Sequence, residues 1–304
     1  MEYCFVAEKI CKQYKHLKAL NGCSMHIPKG AIYGFVGKNG AGKTTMIRLM
    51  AGLQRPDSGS YTLYGVPYTD SGMSKMRRRM GAVIENPSLY MDMTAVENLK
   101  MQYRMLGLPS FQGTQELLEQ VGLADTGKKK VKNFSLGMKQ RLGIAMALCG
   151  NPDFLVLDEP MNGLDPQGIV EIRELILKLN QQQQITVLIS SHILDELAKV
   201  ATCFGFIDQG TILKEISAKE LEKNCQKSTH FSVTDTKALC RVLDAEGIEY
   251  RISSGTEAEI YGEIRISKLA GELSKVGCEI LSVKEQDESL ENYYMNLIGG
   301  EKHA

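Results

Sequence analysis

The segment Gly37-Lys38-Asn39-Gly40-Ala41-Gly42-Lys43-Thr44 fits the pattern G-x-x-x-x-G-K-[ST]. It follows the apolar run Ala31–Val36 and precedes a helical pattern over Lys43–Ala51 that Gly52 closes. A loop of this composition curls its backbone N–H groups around phosphate oxygens, and the helix behind it adds a partial positive charge. Lys43 is then placed to reach the β- and γ-phosphates of a nucleotide, and Thr44 offers a hydroxyl to Mg2+. Such a loop needs a second, acidic group for the metal. The apolar run Phe154–Leu157 ends in Asp158-Glu159, and a carboxylate at the carboxyl end of a buried parallel strand lies beside the phosphate crevice. Asp158 is expected to hold Mg2+, directly or through water. That leaves Glu159 free to polarise an attacking water.

The elements that must position these groups are partly readable. Residues 2–10 alternate and read as a strand. Phe154–Leu157 and Ile185–Ile189 are short apolar runs without polar alternation, separated by a helical segment Ile169–Asn180. That order implies parallel strands covered on both faces. Cys203–Ile207 is a further strand, turning at Asp208-Gln209-Gly210. Between Met73 and Gly127 the pattern is mostly helical, broken at Asn86-Pro87 and at Gly107-Leu108-Pro109. Leu99, Met101, Tyr103, Met105 and Leu106 are expected to supply its apolar face, as core in preference to a contact surface. The composition shifts after about Lys223, and Asn224–Lys227 reads as a polar linker. Beyond it the pattern is strand 229–234, helix 236–246, strand 248–253, strand 258–264, helix 267–276, strand 278–284 and a last helix Glu288–Ile298. The first six follow the βαββαβ, ferredoxin-like order.

Composition narrows the class. The 304 residues allow two or three domains at roughly 100–200 residues each. Lys plus Arg and Asp plus Glu both total 36, so the chain is formally neutral, which disfavours a general nucleic-acid binder. The eight Cys contain no Cys-x-x-Cys pair, so neither a zinc site nor a disulfide framework is indicated, and free thiols in a reducing cytosol are expected. No run approaches the ~18 apolar residues that cross a bilayer, and the first residues lack the pattern of a signal peptide. A cytoplasmic protein is expected, one that needs a spanning partner for any work on a membrane.

Phe134-Ser135-Leu136-Gly137-Met138-Lys139-Gln140-Arg141 resembles the ABC signature, Leu-Ser-Gly-Gly-Gln followed by a basic residue. The signature, the Asp158-Glu159 strand, Asn162-Gly163-Leu164-Asp165 and Ser191-His192 stand in the order and spacing of an ABC transporter ATP-binding subunit. The resemblance covers about residues 1–222. It implies a P-loop ABC ATPase domain of the α/β class, with a mixed sheet core and a helical subdomain at about 86–150. A small accessory α+β domain would follow at 225–304.

The resemblance also implies roles. ATP and Mg2+ are the ligands. Nucleotide binding falls to Tyr14, which would stack on adenine, and to Gly37, Lys38, Asn39, Gly40, Ala41, Gly42, Lys43, Thr44 and Thr45. Glu159, His192 and Lys43 carry the catalytic parts, with His192 as the switch histidine that contacts the γ-phosphate. Ser135 and Gly137 would cap the γ-phosphate held by a second copy of the chain in a head-to-tail dimer. Asp165 would couple the two sites. The partners implied are that second copy and separate membrane-spanning permease subunits, which hold the protein to the inner face of the membrane; no nucleic acid is implied. Leu136 and Met138 depart from the family pattern, which has Gly and Gln. Glu85 stands where the family has a glutamine, as a coupling residue and possible Mg2+ ligand. This Glu and the sequence Ser135–Ala145 look like those of the bacitracin-resistance and lantibiotic-immunity exporters, so the implied cargo is an antimicrobial peptide exported for self-protection. An ABC exporter for an ion, lipid or small drug, or an ABC ATPase acting on ribosomes or nucleic acid, is the alternative. One P-loop, one signature and only ~90 intervening residues without sustained heptads disfavour the latter.

Overall fold

The computed structural model describes residues 2–224, 228–261, 265–286 and 290–300. The chain divides into two compact units, Met1–Ala218 and Lys219–Ala304.

The first unit opens with two long strands, β1 (Tyr3–Tyr14) and β2 (Leu17–Pro28), paired antiparallel. Next come β3 (Ile32–Val36), α1 (Lys43–Met50), β4 (Ser58–Leu63) and β5 (Val66–Pro67). One antiparallel sheet has the order β2-β1-β4-β5. The chain continues through α2 (Met73–Arg77), β6 (Met80–Val83), α3 (Ala95–Met105), α4 (Thr114–Gln120) and α5 (Leu136–Leu148). It then runs through β7 (Phe154–Asp158), α6 (Pro166–Gln183), β8 (Thr186–Ser191), α7 (Leu194–Ala198), β9 (Cys203–Asp208) and β10 (Thr211–Ser217). These strands build a second sheet, β10-β9-β3-β8-β7-β6, in which only the β10–β9 pairing is antiparallel. Every residue of β3, β7 and β8 is buried, as expected for parallel strands covered on both faces. Phe5, Met25, Phe35, Ile47, Phe154 and Leu188 belong to one core that joins both sheets to α1.

Two expectations are corrected here. The stretch from Met73 to Gly127 is less helical than expected: it begins with the short helix α2, but Met80–Val83 is the edge strand β6, parallel to β7. The apolar residues of α3 also do not share a face. Leu99 and Tyr103, four apart, are buried on one face, whereas Met105, two residues from Tyr103, points elsewhere and is exposed. Leu106 is exposed too, at the C-cap where the helix has ended. Local chemistry sets the helix starts. Thr94 and Glu97 form a reciprocal capping box on α3. Ser135 caps α5 through Met138 N at 3.2 Å, and Asp165 caps α6 through Gly168 N at 3.0 Å, with Pro166 at the first helical position.

The second unit contains most of α8 (Ala218–Asn224), then β11 (Ser228–Val233), α9 (Thr236–Glu246), β12 (Tyr250–Ile252), β13 (Glu257–Tyr261), α10 (Ile266–Lys275), β14 (Ile280–Gln286) and α11 (Leu290–Gly300). Its sheet is antiparallel in the order β12-β13-β11-β14, the ferredoxin-like arrangement. Phe231, Val233 and Ile260 meet Leu239, Leu243, Leu269 and Leu273 in its own core, so both α9 and α10 cover one sheet face. Of the polar linker Asn224–Lys227, residues 225–227 lie outside the described residues, as do 262–264 of the third expected strand and the first residues of the last helix.

Candidate active site

The loop from Gly37 to Gly42 joins the buried strand β3 to α1. A Cβ on Gly37 would lie 2.7 Å from the Ile207 carbonyl oxygen, so no side chain fits there. Gly42 has φ +111, outside the range of L side chains, and leads directly into α1. Lys43, 5% exposed, turns its amine back into the loop, donating to Gly37 O at 2.6 Å and Lys38 O at 3.3 Å.

Asp158 ends β7, between β6 and β8, and is 1% exposed. Its two oxygens are divided between neighbours. Thr44 Oγ1 donates to Oδ2 at 2.8 Å, and Ser190 Oγ donates to Oδ1 at 2.5 Å. Ser190 Oγ also accepts from Glu159 N at 2.9 Å. Sequence reasoning missed Ser190. Its signal was the parallel register, which pairs Asp158 with Ser190 one residue beyond the apolar run of β8.

Glu159 follows at φ +52, a left-handed backbone that costs a non-glycine residue on the order of 1–3 kcal/mol. This turn aims its carboxylate between two partners. Lys43 Nζ is 3.2 Å from Oε1, and His192 Nδ1 is 2.8 Å from Oε2. The structure therefore brings together Lys43, Thr44, Asp158, Glu159 and His192 from α1, the end of β7 and the end of β8. Among the described residues, no group of three or more His, Cys, Asp or Glu forms a metal cluster. A hydroxyl bonded to a buried carboxylate is instead the donor set that suits Mg2+ when phosphates complete its coordination. Thr44 and Asp158 fit that ion.

The remaining expected residues lie elsewhere. Tyr14 ends β1, half exposed, with its hydroxyl on Gln54 and Lys12 Nζ 5.8 Å from its ring centre. Ser135 and Gly137 begin α5, where Ser135 serves its own helix cap and Gly137 lies near Leu164. Asp165 caps α6. Glu85, at φ +58, accepts from Arg48 Nη2 at 2.6 Å and is not joined to Thr44 or Asp158. It lines a groove of about 1230 Å³ with Arg48, Leu53, Pro87, Tyr90 and Met105. Leu53 and Met105 are exposed there by 66% and 68%.

Comparison with known proteins gives a consistent result. Residues 20–162 match the family model described as ABC transporter. The chain is similar to the bacitracin transport ATP-binding protein BcrA of Enterococcus faecalis, 37% identical over 302 residues, which covers 99% of this chain and 98% of that protein. It is also similar to the lantibiotic transport ATP-binding protein SrtF of Streptococcus pyogenes, 43% identical over 208 residues, covering 68% of this chain and 88% of that one. Among solved structures, it shares its fold with the ATP-binding cassette MJ0796, described as a dimer in a post-hydrolysis state bound to ADP and Pi. The TM-score is 0.64 at 24% identity, over 70% of this chain and 98% of that one.

Proposed function

The chain belongs to the family of ABC transporter ATP-binding proteins and is an ATPase, and from that premise we propose that it powers export of an antimicrobial peptide of the bacitracin or lantibiotic kind. Two copies pair head to tail around two ATP molecules. Each site takes its P-loop from one chain and Ser135 and Gly137 from the other. Separate membrane-spanning subunits carry the cargo. Among the described residues no helix is long and apolar enough to cross a membrane, so the chain reaches the cytoplasmic face of the membrane through those subunits. The groove beside Glu85, with its exposed Leu53 and Met105, is the surface we assign to them.

The observation that carries the reaction is the placing of Glu159 between Lys43 at 3.2 Å and His192 at 2.8 Å. Water attacks the γ-phosphorus in line with the leaving oxygen, and the nucleophile needs a proton acceptor or an orienting group. Glu159 takes that role, with His192 holding one carboxylate oxygen in place. Lys43 lies where negative charge grows on the phosphoryl oxygens, and a fixed cation is most effective there in a buried site. Mg2+, when bound by Thr44 and Asp158, neutralises part of the triphosphate charge.

The support for the cargo is the likeness to BcrA over nearly the whole of both chains. The test is to co-purify the permease with this chain and to measure growth protection against bacitracin and against a lantibiotic. Protection lost in Lys43→Ala is expected. Full protection in that variant, or protection against neither compound, overturns the cargo.

A further inference from the structure

We propose that Arg141 is a positioning residue that ties the signature helix to the helix capped by Asp165, so that the two segments facing the partner's nucleotide move as one body. The proposal rests on the head-to-tail dimer above. It assigns a role to a residue outside the phosphate cluster.

The contacts lie along α5 and α6. At their N-terminal ends, Leu136 covers the Asp165 loop: a Cβ built on Gly163 would lie 3.3 Å from Leu136 Cδ2, and one on Gly137 would lie 3.9 Å from Leu164 Cδ2. Farther along, Arg141 Nη2 lies 3.3 Å from Glu171 Oε2 on α6. The opposite edge of the guanidinium is fixed. Nη1 donates to Val121 O and to Gly122 O, both at 3.1 Å, where α4 ends. Gly122 has φ +66, and a Cβ there would come 2.8 Å from Arg141 Nη1, so the glycine keeps room for the guanidinium.

The Arg141 side chain is 17% exposed, and its buried Nε has no hydrogen-bond partner. An exposed ion pair holds little, because solvent screens it and long side chains wander. This one differs: a planar cation already anchored on two carbonyls loses little further freedom in meeting Glu171. Ser135 caps one of the tied helices and Asp165 caps the other. A shift of either helix therefore carries both caps toward or away from the partner's site. Loss of the tie lets Ser135 and Asp165 move separately. The cost falls on dimer closure, not on nucleotide capture by the chain's own P-loop.

The test uses full-length chains. In a Glu159→Gln background, Glu171→Ala is expected to raise the ATP concentration for half-maximal dimerisation about fivefold, in the range of coupling between residues of one network. ATP affinity of the monomer stays within about twofold, and the thermal midpoint within about 3 °C, since Arg141 keeps its bonds to Val121 and Gly122 and both helices keep their apolar packing. Glu171→Gln, whose carbonyl oxygen still accepts from Arg141, recovers most of the loss. Orientation gives the second arm. An excess of Lys43→Ala chain, with an intact signature, restores the hydrolysis of Glu171→Ala chains to that of wild type under the same excess. An excess of the Lys43→Ala/Glu171→Ala chain fails to support wild type equally well. Unchanged dimerisation, or a defect that stays with the variant's own P-loop, overturns the proposal. If wild type with excess Lys43→Ala chain is itself inactive, the shared or singly sufficient site fails, and the dimerisation arm still decides the role of Arg141.

Discussion

Thr44 on the first helix and Asp158 at the end of β7 are 114 residues apart in sequence, and their side chains share a hydrogen bond of 2.8 Å. The bond joins the phosphate loop to the acidic strand, the place we propose for Mg2+. Asp158→Asn keeps the shape and one acceptor oxygen, for either Thr44 or Ser190, puts an N–H donor against the other hydroxyl, and removes the charge. In the wild type Mg2+ is expected to tighten ATP binding by about tenfold or more, since a carboxylate and the phosphates are its natural ligands. In the variant that gain should shrink to about twofold. Titration of ATP with and without EDTA measures it. An equal gain in both proteins takes Asp158 out of the metal site.

Glu85 places a carboxylate where the resemblance implies a glutamine, and Arg48 opposes it at 2.6 Å. An unopposed carboxylate at about 5 Å from a phosphate charge costs roughly 3 kcal/mol at an effective dielectric near 20. With Arg48 present, Glu85→Gln is expected to change ATP affinity in EDTA by no more than about threefold, as for an exposed pair. Arg48→Ala uncovers the charge and weakens binding, and the Arg48→Ala/Glu85→Gln chain recovers. A double-mutant cycle in EDTA measures the coupling. Additive single effects contradict the pairing.

The ATP motifs and the ferredoxin-like fold occupy different compact units. A chain ending at Asn224 is expected to stay soluble and to bind ATP within about threefold of the full chain, because each unit has its own apolar core. Isothermal titration of the shortened chain checks it. Loss of binding means that residues beyond 224 support the first unit.

The thiols differ in reactivity by burial. Burial pushes Cys4, Cys23 and Cys149 up to about 12 and Cys203 up to about 11. Cys11 is shifted down, by a hydrogen bond with Ser58 and by the Gly22 N–H at 3.2 Å. The thiolate is the nucleophile. At pH 8, below the raised values, Cys11 therefore carries a larger thiolate fraction than these four. Timed alkylation followed by peptide mass spectrometry should find Cys11 modified before the four buried thiols. Equal rates contradict the burial pattern.

What could be read from sequence followed physical signal strength. The runs Phe154–Leu157 and Ile185–Ile189 announce buried parallel strands because they are short, apolar and without polar alternation, and a helical segment separates them. Met80–Val83 does not. It is an edge strand with only Gly81 and Ala82 between Met80 and Val83, directly after three arginines, and its glycine is required because a Cβ on Gly81 would collide with the Ala147 carbonyl. That Lys43, Thr44, Asp158 and Glu159 would lie together was legible from motif chemistry. Ser190 was not, since a serine beyond a strand has no pattern until register sets it beside Asp158. Arg48 opposite Glu85 was hidden for the same reason: an ion pair across 37 residues has no local signature.

The most direct measurement concerns Glu159. In the chain Glu159→Gln, ATP affinity should stay within about threefold of wild type, because Lys43 and the loop amides hold the phosphates. Hydrolysis should fall by about a hundredfold or more, the usual contribution of a positioned proton acceptor. Size-exclusion chromatography of the variant should show a dimer with ATP and a monomer without it. Near-normal hydrolysis with no ATP-dependent dimer would contradict both the catalytic role of Glu159 and the head-to-tail pair built around it.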